Sequence, residues 1–450
     1  MKDKSVTSTE TKIDLPPKKD VEAWADAAFL RLWYHWETGL NMEHDRDHWL
    51  YDDFWKAGNT LDAAINYYVV RKPDTTKENF PKIADIVQKS YDSIFRDFVP
   101  YPKGKWRDDY GWWGNAFVNA YKNADTLGLD HTLKDTCMIA AYCWQVLYES
   151  ACDSEKDDDP DHKYLGAGYA AWNEGGLVQY LKNPAEYKQT PNSVTNLGFW
   201  ALSLGIYEHM SRDRKYLDAA RGICDWFYSF YDYGDYGTFA LFNEYQLINE
   251  TVNPVAHPAW CIPDPPRPSG RGSDRAWSAD QGVFLYCLWK TLQYEDSPGR
   301  RDKLRRLIDT LYQAFMTNSV MIGSDDIFRE YDHDPEVGGN ASNFNDNYAT
   351  GPGVFMRYVG YSLPMMTGDD DEPIKSLFTK CMAASARSAW NCRDTGIETN
   401  QIFAWDVPAN NLDETKYWRY YNAMQDTDLF QLTFQAGALD LFVALLRLCQ

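Results

Sequence analysis

Apolar residues recur three and four positions apart from one end of this chain to the other, and the alternation of a strand is scarce. The spacing predicts twelve helical segments, beginning near Val21, Asp52, Asn79, Tyr110, Thr132, Asn192, Arg214, Ser278, Arg301, Gly351, Ile374 and Asp428. The clearest runs from Thr132 to Cys152, where Met138, Tyr142, Gln145 and Tyr148 follow one helical stripe. Pro81, Pro191, Pro298 and Pro373 stand in or just before the first turn of a segment, where the missing N–H has no partner to lose.

The connections between segments are unequal. Those from an even-numbered segment to the next odd one are short, about three or four residues at Gly128-Leu129-Asp130-His131, Ser211-Arg212-Asp213 and Ser297-Pro298-Gly299. Those entering the sixth, eighth, tenth and twelfth segments run to roughly 25–45 residues, a length that in a compact fold is usually functional. In an up-and-down array the entrances to all even helices share one end. Six helical hairpins with one elaborated face predict an all-α (α/α)6 toroid, six inner helices ringed by six outer ones. The even helices are expected inside, because they carry small residues and amides: Ala57-Gly58-Asn59, Ala279-Asp280-Gln281-Gly282 and Gly351-Pro352-Gly353. The odd ones are more amphipathic, as in Arg300-Arg301-Asp302-Lys303-Leu304-Arg305-Arg306. No composition shift splits the chain, so one domain is expected over residues 21–450 behind a disordered polar arm, 1–20. Thr238–Ile248 partly alternates and reads as a short hairpin over the open face, without recognisable chemistry. Cys261–Pro268 reads as stiff proline-rich loop.

Charge narrows the function. With 66 acidic against 45 basic residues the net charge is −21, which repels nucleic-acid backbones and anionic lipid and favours a neutral ligand. No apolar run of about 18 residues crosses a membrane. The first residues lack the apolar stretch of a signal peptide, so the chain reads as cytoplasmic as written, or secreted if a leader has been cleaved. Most of the nine cysteines sit in apolar helical runs, as buried thiols do, and none forms a CxxC pair. No HExxH cluster, P-loop, GxSxG elbow or dinucleotide glycine pattern is present, so no metal or cofactor is expected. Asn249-Glu250-Thr251 and Asn340-Ala341-Ser342 match glycosylation sequons. A monomer is expected.

The candidate chemistry gathers at the even-helix entrances. Trp106-Arg107-Asp108-Asp109-Tyr110-Gly111-Trp112-Trp113 sets two adjacent carboxylates among aromatic rings, the materials of a sugar-cleaving site. An aspartate before a helix is also an ordinary N-cap worth ~1 kcal/mol. Asp52-Asp53 is a second double aspartate that fits a cap and first-turn anion, and His44, Asp45 and His48 before it are spaced as potential metal ligands. Asn192 and Asn196 share a helix face suited to hydroxyl recognition. Asp280 and Gln281 lie in the first turns of a helix, where a structural role favours apolar residues. Asn343, Asn345, Asp346, Asn347 and Tyr348, then Trp405-Asp406 and Tyr417-Trp418-Arg419-Tyr420-Tyr421, complete the polar and aromatic loops.

Asp108-Asp109-Tyr110-Gly111-Trp112-Trp113, followed by Ala116 and Tyr121, resembles the Asp-Asp-x-x-Trp-Trp signature of glycoside hydrolase family 76. Phe54-Trp55 with Asn59 and Leu61-Asp62, Asn192-Ser193-Val194-Thr195-Asn196, Asp280-Gln281-Gly282-Val283 and Gly353-Val354-Phe355-Met356-Arg357-Tyr358 resemble later motifs of that family, in order. Pro191 stands where the family has Lys, after an apparent insertion at Lys188-Gln189-Thr190, and the family's secretion signal is missing. The resemblance implies an (α/α)6 toroid, endo-acting α-1,6-mannanase activity on α-mannan or manno-oligosaccharides, and a retaining mechanism. In it Asp108 is the nucleophile and Asp109 the general acid/base. Substrate-binding candidates are Asn59, Trp106, Trp112, Trp113, Asn192, Asn196, Asp280 and Gln281. Retention needs two carboxyls about 5–5.5 Å apart, so a turn at Asp108-Asp109, eased by Gly111, is expected ahead of the helix. Two other functions fit the same fold: a non-catalytic glycan-binding or cell-wall protein, and a sugar epimerase, which needs inner-ring histidines.

Overall fold

Helices form where the periodicity places them. The computed structural model describes residues 13–38, 49, 54–76, 80–95, 107–151, 193–232, 241–243, 245–250, 276–318, 321–330, 345–393 and 428–449. Among these are twelve long helices: α1 (Lys18–Thr38), α2 (Phe54–Arg71), α3 (Ile83–Ile94), α4 (Arg107–Lys122), α5 (Ile139–Ala151), α6 (Ser193–His209), α7 (Arg214–Asp232), α8 (Ser278–Gln293), α9 (Pro298–Gln313), α10 (Asn345–Ser362), α11 (Glu372–Cys392) and α12 (Asp428–Leu448). Pro298 opens α9, as its fixed φ suits.

Three of the departures from the expected boundaries bear on the packing and the site. The fifth segment breaks: a short helix His131–Thr136, capped by Asp130 through the N–H of Leu133 (2.8 Å), ends before α5. Bonds tighten to three-residue spacing there, with Met138 N–H on Asp135 O and Ala141 N–H on Met138 O. The stripe that α5 buries is Ala140, Cys143, Trp144 and Leu147, while Met138 is exposed. The tenth segment starts at Asn345, so Pro352 falls inside α10. Gly351 and Gly353 flank it where neighbours leave no room for a Cβ: Glu330 and Ser278 crowd the first, the Gly437 backbone of α12 the second. The fourth segment starts at Arg107, which puts Asp108 and Asp109 in its first turn.

The six even helices form a closed ring. α2 packs on α4, α4 on α6, α6 on α8, α8 on α10, α10 on α12, and α12 returns to α2. Outside it α1 lies on α12, α3 on α2, α5 on α4, α7 on α6, α9 on α8 and α11 on α12. This is the (α/α)6 toroid. The small residues of the even helices set the close contacts: a Cβ on Gly111 would lie 3.2 Å from the Cα of Gly198, and one on Gly282 2.7 Å from the Cα of Phe355. Gly111 therefore serves the packing of α4 on α6, not a turn ahead of α4.

Three buried tryptophans fasten neighbouring helices through their N–H groups, which burial would otherwise leave costly. Trp113 donates to Phe54 O (2.7 Å), Trp144 to Ser203 Oγ (2.8 Å) and Trp200 to Thr291 Oγ1 (2.9 Å). Across the ring runs a buried polar network. Arg357 of α10 places Nη1 2.7 Å from Asp62 of α2, and Nε and Nη2 2.8 and 2.5 Å from the two carboxylate oxygens of Asp440 on α12. Asn119 of α4 donates to Asp62 (2.6 Å) and to Asn66 (3.1 Å), which also accepts from the Tyr361 hydroxyl (2.6 Å). Seven described cysteines are free thiols, five of them buried. No described helix is long and apolar enough to cross a membrane.

Candidate active site

The N-termini of the even helices open at one end of the ring, and acidic side chains converge there. Asp108 and Asp109 occupy the first turn of α4, and Asp280 the first turn of α8. Asp108 is half-buried, whereas Asp109 and Asp280 are 3% and 2% exposed. Burial holds the Asp108 carboxyl up at about 6, with the charge of Glu250 adding to it. The N–H groups of Asp108 and Asp109, at the open end of the helix, pull the other way. Asp280 is pushed well above the usual carboxylate range by burial, then by Glu250, Glu330 and Asp108. Burial and the mutual repulsion of these acids both favour their protonated forms.

Glu250 and Glu330 were not candidates from the sequence. Both end short hairpins that match residue for residue. Residues 241–250 carry an antiparallel bridge between Phe242 and Ile248, and residues 321–330 one between Ile322 and Phe328. Asn249 N–H donates to Leu241 O, as Arg329 N–H does to Met321 O. Gln246 and Asp326 take positive φ at the same place (67° and 61°). Each hairpin is fixed by a helix side chain on its second bridge residue: Gln281 Oε1 accepts Ile248 N–H (2.9 Å), and Ser385 Oγ accepts Phe328 N–H (2.9 Å). Each also reaches the first serine of an inner helix. Ser193 donates its N–H to Glu250 O and its hydroxyl to Asn249 O. Ser278 donates its N–H (2.6 Å) and hydroxyl (2.5 Å) to the carboxylate of Glu330. The expected hairpin over the open face thus exists, has a twin, and brings carboxylates to the site.

The other predicted residues divide. Trp112 is half-buried and meets the equally half-buried Trp55 of α2 at 5.9 Å between ring centroids, the pair of partly open indoles beside the aspartates. Trp113 is fully buried among Phe54, Phe95 and Phe117, with its N–H committed, so its place is the core. Gln281 spends its amide on the backbone of Ile248, accepting its N–H and donating to its carbonyl, and donates to Trp277 O as well; it holds the hairpin. Asn59 is buried on α2, its carbonyl accepting from Arg357 (3.2 Å). Asn196 is buried one turn into α6. Asn249 of one sequon is buried too. Trp106, Asn192, His44, Asp45, His48, Asp52, Asp53, Asn340, Asn343, Trp405, Asp406, residues 417–421, the loop 261–268 and residues 1–12 of the polar arm lie outside the described residues.

No family model matches the chain, and no curated protein does. Solved structures do. The GH76A alpha-1,6-mannanase from Salegentibacter sp. HEL1_6 superposes with a TM-score of 0.58 at 13% identity, over 95% of this chain and 99% of that one. An inactive variant of that mannanase, with two adjacent aspartates replaced by alanine, is in complex with alpha-1,6-mannotetrose (TM-score 0.59, 14% identity, 96% and 100% covered). Dfg5 from Chaetomium thermophilum, in complex with glucosamine, matches at 0.58 and 12% identity over 96% and 92%. An unsaturated glucuronyl hydrolase from Streptococcus agalactiae matches at 0.56 and 15% over 100% and 98%. Likeness at this identity establishes the shared toroid.

Proposed function

We propose that this chain is a retaining glycosidase or transglycosylase acting on α-mannosides, α-1,6 linkages first among them. The observation that carries the reading is the pairing of Asp108 and Asp109 in the first turn of an inner helix, among further carboxylates and beside the indoles of Trp55 and Trp112. Support comes from the ordered motifs of family 76 in the sequence and from the mannanases that share the fold. Asp108 is the nucleophile: its carboxylate attacks C1 while Asp109 gives its proton to the departing glycosidic oxygen. A covalent glycosyl ester results. Asp109, now a base, removes a proton from water or from an acceptor hydroxyl, whose oxygen attacks C1 and frees Asp108. Trp55 and Trp112 offer apolar faces for sugar rings.

The test is a panel of α-linked manno-oligosaccharides with NMR detection of the first-formed anomer. The expected outcome is cleavage of the α-1,6 member with α product appearing first. An inverted first product removes the covalent step, and binding without any released reducing end leaves a glycan-binding protein.

The acidity of Asp108 sets the expected pH profile. A nucleophile must be ionised, and this carboxyl holds its proton up to about 6. Since kcat/KM reports the free enzyme, it should fall roughly tenfold per pH step below about pH 6, with a second fall on the alkaline side where Asp109 loses the proton it must donate. A profile flat from pH 4 to 7 is incompatible with Asp108 as nucleophile.

A further inference from the structure

The twin hairpins perform one task by different means. In each, the end of the hairpin binds the first serine of an inner helix and so fills the open N-terminus that a helix leaves. At residues 321–330 the work falls to the carboxylate of Glu330, which takes both the N–H and the hydroxyl of Ser278. Glu330 is 2% exposed, and Gly351 stands beside it where a Cβ would collide with that carboxylate. At residues 241–250 the same two donors of Ser193 go to backbone carbonyls, those of Glu250 and Asn249. The charge of Glu250, at the mouth of α6, bears on Asp108 and Asp280 in the first turns of the two helices that flank α6, α4 and α8.

We propose that Glu250 is a third carboxylate of the acidic centre, a positioning residue that acts through Asp108, while its counterpart Glu330 serves as the clamp on α8. The hairpin is built to hold it there. Its bridge, the left-handed turn at Gln246 and the amide of Gln281 fix the strand, and two hydrogen bonds to Ser193 fix its end. The charge of Glu250 bears on Asp108, whose neighbour in the first turn of α4 is Asp109, and those of Glu250, Glu330 and Asp108 bear on Asp280. Glu250 is therefore the group shared by both. A negative charge in that place favours the protonated form of each neighbour and keeps the nucleophile poised near the pH at which it must work.

The proposal deepens the glycosidase reading, yet it is tested without substrate, so either can fail alone. Asp carboxyl carbons labelled with 13C are followed by NMR from pH 4 to 9 in the unliganded protein, with Asp108→Asn identifying the Asp108 resonance. Glu250→Gln, which keeps shape and removes charge, is expected to lower the Asp108 midpoint by about one pH step. Glu250→Asp, which keeps the charge, leaves it close to the parent value and covers the case in which Gln disturbs folding. Glu330→Gln lowers the melting temperature with the Asp108 midpoint in place. An unchanged Asp108 midpoint in folded Glu250→Gln overturns the proposal, and so does an equal shift in Glu330→Gln.

Discussion

Asp108→Asn and Asp109→Asn each reduce kcat/KM on an α-1,6-linked manno-oligosaccharide by about 10³-fold or more, with the fold intact. General acid/base action alone is commonly worth about 10²–10⁴-fold, and losing the nucleophile removes the covalent route altogether. The two readings of Asp108, as nucleophile and as helix anion, separate on stability. A first-turn anion stabilises a helix by about 0.3–1 kcal/mol, so a purely structural Asp108 loses stability on becoming Asn. Here the net displacement of its carboxyl is upward, to about 6. Burial and Glu250 therefore outweigh what the helix end returns. An acid whose folded value lies above its unfolded one costs stability once the pH passes the unfolded value, and the full cost is reached above the folded one. Asn at 108 keeps an acceptor for the N–H groups and relieves that cost. The melting temperature of Asp108→Asn is thus expected to equal or exceed the parent's at pH 8, with the difference vanishing toward pH 4. A lower melting temperature together with normal turnover returns Asp108 to capping.

The outline of the fold was legible because helical periodicity and loop length are both local signals. Loop asymmetry alone placed the Asp108 entrance at the end of the ring where the even helices begin. What was not legible depends on contacts distant in sequence. Gly111 reads as a turn former until Gly198 of the neighbouring helix is seen against it. Trp113 and Trp112 are adjacent and chemically identical, yet one faces Phe95 and Phe117 and the other Trp55. Gln281 looks like a sugar-binding amide until Ile248 occupies both its ends. Glu250 and Glu330 escaped notice because each stands in loop sequence, where acids are common. A signal did exist: residues 241–250 and 321–330, aligned without gaps, share apolar positions at the first, second, seventh and eighth places and Glu at the tenth. Arg357 was visible as part of a motif, but neither of its two carboxylate partners was.

Arg357→Met should be the most destabilising single change outside the site, by about 3–5 kcal/mol, as for other buried ion networks that lose one member. The guanidinium joins three inner helices: α10 carries it, α2 supplies Asp62 and the carbonyl of Asn59, and α12 supplies Asp440. Methionine fills much of the volume but leaves the buried carboxylates of Asp62 and Asp440, on the neighbouring helices α2 and α12, without the cation they share. Burial already raises Asp440 to about 7 against the pull of Arg357. Without that pull its folded value rises further, well above the ordinary unfolded value of about 3.9. Relative to the parent, whose Asp440 already keeps its proton up to about 7, the added cost from Asp440 is absent below that pH and grows as the pH climbs from there toward the variant's higher folded value. Urea denaturation should accordingly find Arg357→Met far weaker than the parent at pH 8 and closer to it at pH 5. Adding Asp440→Asn to Arg357→Met removes one of the stranded charges and is expected to recover part of the loss at pH 8, a coupling that residues in direct contact show and distant ones do not. Equal deficits at the two pH values, with no recovery in the double variant, point to lost packing and not to stranded charge as the source of the instability.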